Sequence, residues 1–400
     1  MTQANVRTFA DVTFLAKEST FQTLPSMKPL IVEADSFEDD QRDTGLEDND
    51  SSPLGLDTKD VIDGVWEGSG KFVTKLKPFA TQITSSAPAT QPALFDFLEC
   101  VMGGMAVGAG SALTTGTVDS VTVADDAGFT VGQVFGISGS GDVQLAVLEA
   151  KPGSDVLEFW PEVGIAVTSG TAINGYNVFF TATNEKSFSV QNAKKDSASA
   201  QREHRGCIGK AKLITTLNEV VRVEGEFTSA NGQDGALSIS TAVQSNPLAA
   251  GGHAIKSAVV LLQPAATVTR THYCVESFSM EIDPGLEYVP CHGAEQGTSG
   301  VMRVKGRGLV KIMMDIRFDR DKDAEFIART AERLLYSVPK GTGTSKRHVG
   351  VYAPKIKLVR KPKQKKSGGR MLYELEYVAQ IDTTAAEDSL AGSTVIIFAL

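Results

Sequence analysis

Cysteine is scarce, with four residues in 400 (Cys100, Cys207, Cys274 and Cys291) and no CxxC pair. So few thiols at such spacings build no disulfide framework, and a reducing compartment such as a bacterial cytoplasm is the expected setting. Long hydrophobic runs are missing too. A spanning helix needs about 20 apolar residues, and runs such as Val395 to Leu400 fall far short. The opening MTQANVRTFADVTF lacks the basic-then-apolar layout of a secretory signal. Positive charge is in deficit: 39 Lys and Arg against 48 Asp and Glu leave a net charge of −9. That balance excludes a nucleic-acid binder of the usual basic kind. A soluble chain, neither exported by a signal nor membrane-spanning, is expected.

Catalytic signatures are also wanting. Neither GxSxG nor HExxH occurs, and the five histidines (His204, His253, His272, His292, His348) are scattered. The one suggestive cluster is His272-Tyr-Cys274 with Cys291-His292. Structural zinc wants tight pairs that chelate from a single turn. Here HxC would run along a strand, and the adjacent Cys-His would point to opposite faces, so buried thiols and turn histidines are expected instead. GISGSGD has no helix after it to receive a phosphate, and reads as a hairpin turn. No catalytic residue, cofactor or metal site is expected.

What remains is ordinary globular composition, 42% hydrophobic and 22% charged, rich in glycine and in β-branched residues. FADVTFLAKEST reads as a strand. From Glu33 to Asp63, twelve acids face only Arg42 and Lys59; with little to bury, this stretch is expected to be a long loop or arm. GVWEGSGKFVTKLKP alternates as a strand. After Pro92, the stripe Leu94, Leu98, Val101 and Met102 predicts a short helix stopped by Gly103-Gly104. Residues 110–175, with Val-rich stretches between Asp-Ala-Gly, Gly-Ser-Gly-Asp and Pro-Gly-Ser-Asp turns, read as an inserted barrel or curled sheet of about five strands. Longer strands follow, among them EVVRVEGEFTS and RGLVKIMMDIRF. Ile327, Ala331, Leu334 and Leu335, at i, i+4, i+7 and i+8 behind Asp323, predict a helix over about 323–336.

The fold expected is therefore mainly β: a β-sandwich with one or two short helices and a small inserted β-barrel-like domain. Residues 1–109 and 176–400 supply the sandwich and 110–175 the insert, with both chain ends in the same sandwich. A basic connector precedes the closing strands RMLYELEYVAQID and STVIIFAL. Lys355, Lys357, Arg360, Lys361, Lys363, Lys365, Lys366 and Arg370 have no acid between them. It reads as a solvated hairpin loop, as a self-assembly contact for the acidic arm of a neighbouring copy, or as a DNA contact. No aromatic interleaves its lysines as single-strand binders need.

The order of segments resembles that of tail tube proteins of long-tailed bacteriophages. AKESTFQTLP resembles their first strand and turn, GVWEGSGKFVTKLKP with QPALFDFLECVMGG their second strand and short helix, and REHRGCIGKAKLITTLNEVVRVEGEFTSA their two-strand stretch. FSMEIDPGLEYVP and RGLVKIMMDIRFDRDKDAEF complete the order, and only residues 110–175 stand outside it. The resemblance implies a non-enzymatic virion protein, assembled in the host cytoplasm, whose sandwich forms closed rings, hexameric by expectation. Those rings stack into a tube through which genomic DNA passes without specific binding. Tape-measure, tail-tip and terminator proteins are the implied partners.

Within that picture Asp39, Asp40, Asp43, Glu47 and Asp48 of the arm are candidate inter-ring contacts to Lys361, Lys363, Lys365 and Lys366. Glu224 and Glu226, opposite Val221, Val223 and Phe227, are candidates for an acidic lumen, since a conduit must not hold phosphate. Rival readings are a surface carbohydrate- or receptor-binding module, which would need exposed aromatics, another tail component such as a terminator or baseplate hub, and a hydrolase on a β scaffold.

Overall fold

The computed structural model describes residues 11–33, 36–43, 46–47, 61–62, 66–79, 91–139, 141–164, 167, 169–181, 183–194, 199–216, 219–238, 258–264, 267, 269, 272–291, 298–304, 308–317, 321–381 and 389–400. The chain opens with β1 (Asp11–Lys17), β2 (Lys28–Leu30), β3 (Glu38–Asp43), the two-residue β4 (Leu46–Glu47) and β5 (Val61–Ile62), β6 (Trp66–Lys75), helix α1 (Ala93–Met102) and β7 (Gly103–Val107). A second group holds β8 (Ser111–Gly116), β9 (Ser120–Val123), β10 (Val134–Gly139), β11 (Asp142–Ala150), β12 (Val156–Trp160) and β13 (Gly170–Ile173). Then come β14 (Tyr176–Phe180), β15 (Phe188–Lys194), β16 (Ser199–Thr216), β17 (Arg222–Ser229), β18 (Asn231–Ser238), β19 (Val259–Pro264), β20 (Val275–Asp283), β21 (Leu286–Pro290), β22 (Thr298–Arg303) and β23 (Leu309–Arg317). Helix α2 (Asp321–Ala328), β24 (Glu332–Lys340), β25 (Arg347–Leu358), β26 (Lys363–Ser367), β27 (Arg370–Ala379) and β28 (Ile396–Ala399) end it.

Two antiparallel layers form a mainly-β sandwich. One runs β3-β6-β17-β16-β20-β23-β27-β26. The other runs β19-β24-β25-β28-β14-β7. β25 belongs to both, because Ile356 to Leu358 turn away to pair with β27; such strand-switching makes the corner of a sandwich. The long β16 leaves the first layer at its N-terminal half to join β15 and β18, and β15 carries β1 and β2. Both described chain ends, β1 and β28, thus lie in one hydrogen-bonded network.

The alternation that predicted these strands is what fills the space between layers. Phe72, Val223, Phe227, Leu213, Met280 and Ile312 point inward from the first layer. The rings of Phe278 and Tyr336 stack across the gap at 4.2 Å between centroids, and Thr215 and Tyr336 share a 2.6 Å hydrogen bond. α1 starts after Pro92 and stops at Gly103, whose φ of 102° suits glycine. It is buried on every side, not only along the expected stripe. Its two acids are met by cations from flanking strands, Lys28 at 2.6 Å from Asp96 and Lys17 at 2.8 Å from Glu99, as burying charge requires.

β8 to β13 close into a six-stranded barrel, one strand more than read from the turns. Phe129, Phe135 and Phe159 fill it. Its outer face is apolar as well: Val134, Leu145, Val147 and Trp160 pack on Leu335, Tyr352 and Phe398 of the second layer. The Trp160 indole N–H donates to the Thr267 carbonyl at 2.9 Å, and Arg333 pairs with Glu149. The barrel is therefore seated on the sandwich by a core of its own.

Three expectations fail. Cys274, expected as a buried thiol, is exposed and Cys291 is half-buried. The helix expected over 323–336 ends at Ala328, Ile327 is 79% exposed, and Leu334 and Leu335 lie on strand β24. Leu334 enters the main core and Leu335 the core beneath the barrel, so this strand is apolar on both faces and imitates a helical stripe. The arm expected over 33–63 is not all loop: Glu38–Asp43 is a strand paired along β6. Backbone hydrogen bonds and ion pairs hold it, neither of which hydrophobic content can report.

Candidate functional site

The exposed face of the first layer carries charge in a regular order. β3 presents Glu38 and Asp40, β6 Lys71 and Lys75, β17 Glu224 and Glu226, and β16 Lys210 and Lys212. β20 follows with Glu281 and Asp283, β23 with Lys311, β27 with Glu374 and Glu376, and β26 with Lys363 and Lys365. The sign reverses from each strand to the next. Arg222, Asp315 and Arg370 depart from the order and are paired to Glu33, Lys365 and Glu276.

Register makes this a set of cross-strand pairs. Glu38 lies opposite Lys71, Lys71 opposite Glu226, Glu226 opposite Lys210, and Glu224 opposite Lys212. Contacts are close where the chain continues: Lys71 to Glu38 at 2.8 Å, Lys210 to Asp283 at 2.7 Å, Lys212 to Glu281 at 3.0 Å and Lys311 to Glu376 at 2.8 Å. Solvent screens such exposed pairs, so they add little to stability and their value is in matching strand to strand. The Glu38 carboxylate raises the ammonium of Lys71, and Asp315 raises that of Lys365.

Glu224 and Glu226 stand on this exposed face, opposite Val223 and Phe227. Two lysines face them in register, so the surface they occupy is charge-balanced where an acidic one was expected. Gly225 between them lets the Phe72 ring lie against the strand; a Cβ there would come within 2.3 Å of it. At the β3 end of the face is a groove of about 590 Å³ with Phe227, Ile208, Pro284 and Leu286 among its lining and Glu38, Lys71 and Asp283 at its sides.

The expected contact acids are only partly available. Asp39 turns inward, 2.6 Å from Arg202 and 3.3 Å from His204. Burial would raise its carboxyl, but the His204 hydrogen bond and the Arg202 charge prevail and hold it below the usual carboxylate range. It anchors β3 to β16 and cannot also be a free contact. Asp40 is exposed on β3. Asp43 and Glu47 lie on β3 and β4 with side chains outside the described residues, and Asp48 lies outside them altogether. Lys363, Lys365 and Lys366 are exposed on β26, a hairpin strand turned back by Gly368 and Gly369 with φ of 54° and 78°, as a two-residue loop of this kind requires. Lys361 precedes it in an exposed loop. Arg360 is already paired with Glu374 and Glu376.

His204 also accepts or donates a 3.2 Å hydrogen bond with Ser229, giving a Ser-His-Asp series with Asp39 that the sequence did not suggest. Ser229 is 1% exposed and His204 fully buried, so no substrate carbonyl can reach the hydroxyl as nucleophilic catalysis requires. It is a buried clamp. Among the described residues the acidic group with metal-like spacing is Asp125, Asp126 and Asp155. Lys151 sits 2.8 Å from Asp126 and supplies a cation already. The aromatics of the insert, Phe129, Phe135, Phe159 and Trp160, are all buried, which deprives a carbohydrate-binding reading of its platform. Among the described residues no helix is long and apolar enough to cross a membrane. No protein-family model matches the chain, and no curated protein matches it in sequence.

Proposed function

We propose that the chain is the subunit of a long-tailed bacteriophage tail tube: a structural protein, without catalytic residues or cofactor, that closes into rings stacked as a conduit for DNA. The observation that carries this reading is the eight-stranded antiparallel layer, core-packed on one face and exposed and charged on the other. Among the described residues, β3 pairs only with β6 and β26 only with β27. Open edges of this length invite strand addition, and ring closure removes them.

The charged face suits a lumen. Each carboxylate there has an ammonium on the neighbouring strand, so no continuous cationic track is offered to phosphate and little counterion release would hold DNA. The inserted barrel, seated on the opposite layer, is then left on the outside of the ring. Tape-measure, tail-tip and terminator proteins are the partners this role requires.

Negative-stain electron microscopy of the purified chain over a rising concentration series tests the proposal. Hollow rings or tubes are expected. Monomers alone, at every concentration, would remove it.

A further inference from the structure

Apart from Arg222, Asp315 and Arg370, each paired within the chain, the sign alternates across the eight strands of the exposed layer and stops at its two edge strands. At one end is acidic β3, with cationic β6 on its inner side. At the other is cationic β26, with acidic β27 on its inner side. Continuing the order past β26 calls for an acidic strand, and continuing it past β3 calls for a cationic one. Each edge is what the other lacks.

Strand direction agrees. Every pairing from β3 to β26 is antiparallel, so with an even number of strands the two edge strands run in opposite senses. A second copy placed beside the first by rotation about an axis along the strands, with no flip, brings its β3 antiparallel to the first copy's β26. The exposed faces then coincide, and Lys363 and Lys365 fall on the same side as Glu38 and Asp40. An odd number of strands would have forced a parallel junction. All five residues of β26 are exposed, so neither of its faces is covered, and the groove along β3 lies open beside Glu38. Asp39, clamped to Arg202 and His204, holds β3 flat to receive it.

From this we propose that the junction between neighbouring copies is β3 of one against β26 of the next, matched by Glu38 and Asp40 to Lys363 and Lys365. The inference rests on the ring-forming reading and names the strands that close the ring. The contact is head-to-tail, so it propagates from copy to copy until it closes on itself. It also relocates the lysine contact: the basic strand serves the joint within a ring, where a contact between stacked rings had been expected.

The test is complementation between two charge variants, followed by sedimentation velocity and electron microscopy beside the wild type. One variant carries Lys363→Glu with Lys365→Glu, so both its edges are acidic. The other carries Glu38→Lys with Asp40→Lys, so both its edges are cationic. Each alone should stay monomeric under conditions where the wild type forms rings, because like charges meet at the joint. Mixed in equal amounts, the two should assemble in alternation, which a misfolded chain could not do. Wild-type rings with both variants still assembling alone would overturn the β3–β26 junction and leave the ring reading intact. Variants that fail alone and also fail when mixed would overturn it too. A wild type that never forms rings removes the ring reading and the junction with it.

Discussion

Asp39 shows how much a single side chain can decide. Lying in a run of acids, it reads as a solvated charge, yet it is bound to Arg202 and to His204, and through His204 to Ser229. Nothing in the segment EDDQRD separates Asp39 from its neighbours; only the pleat of β3 does, sending Asp39 inward while Glu38 and Asp40 stay out. Its carboxyl is held below the usual range, so its stabilising contribution is fully present above the ordinary aspartate pKa. That contribution is lost as pH falls through the lower folded value, below about pH 4. Asp39→Asn should cost about 1–3 kcal/mol in urea unfolding near pH 7. The gap from wild type should close as the pH is taken below 4. A gap that is absent at pH 7, or unchanged at pH 3, would mean that the Arg202 and His204 contacts carry no weight.

At the scale of elements, the legible parts are those in which one face is buried and the other solvated. β17, β20 and β23 alternate, and their core residues are the ones the alternation names: Val223, Phe227, Met280, Ile312 and Met314. α1 is announced by Pro92 and ended by Gly103. β24 imitates a helical stripe because the barrel covers the face that would otherwise be polar. Glu332 at its start is buried too, paired with the fully buried Lys322 at 2.6 Å, so a charged residue there signals no exposure. Leu335→Ala tests whether this face is a true core. A loss of about 2–5 kcal/mol is expected, since the side chain is fully buried beneath the barrel. A loss below about 0.5 kcal/mol in denaturant unfolding would mean the barrel is not seated there.

For the whole molecule, the informative signal is the spacing of like charges. Same-sign pairs two residues apart recur along the chain: Glu38 and Asp40, Lys210 and Lys212, Glu224 and Glu226, Glu281 and Asp283, Lys363 and Lys365, Glu374 and Glu376. Like charges on one side of one strand repel, and they are tolerated when the adjoining strand supplies the opposite sign. Such pairs could have nominated strand neighbours before any register was known. The exposed face, the two edges and the barrel's seat follow from long-range pairings, which no local window of sequence contains. With a screening length of about 8 Å at physiological ionic strength, a lattice of exposed pairs selects the partner strand, while backbone hydrogen bonds of the joined edges supply the hold. The most direct test of the account is a cryo-electron-microscopy reconstruction of the assembled protein. It should show the eight strands of each copy continuing without a break around the lumen, with β3 hydrogen-bonded to β26 of the next copy and Glu224 and Glu226 facing the channel. A lumen lined by the barrel, or copies that meet through any other pair of edges, would contradict it.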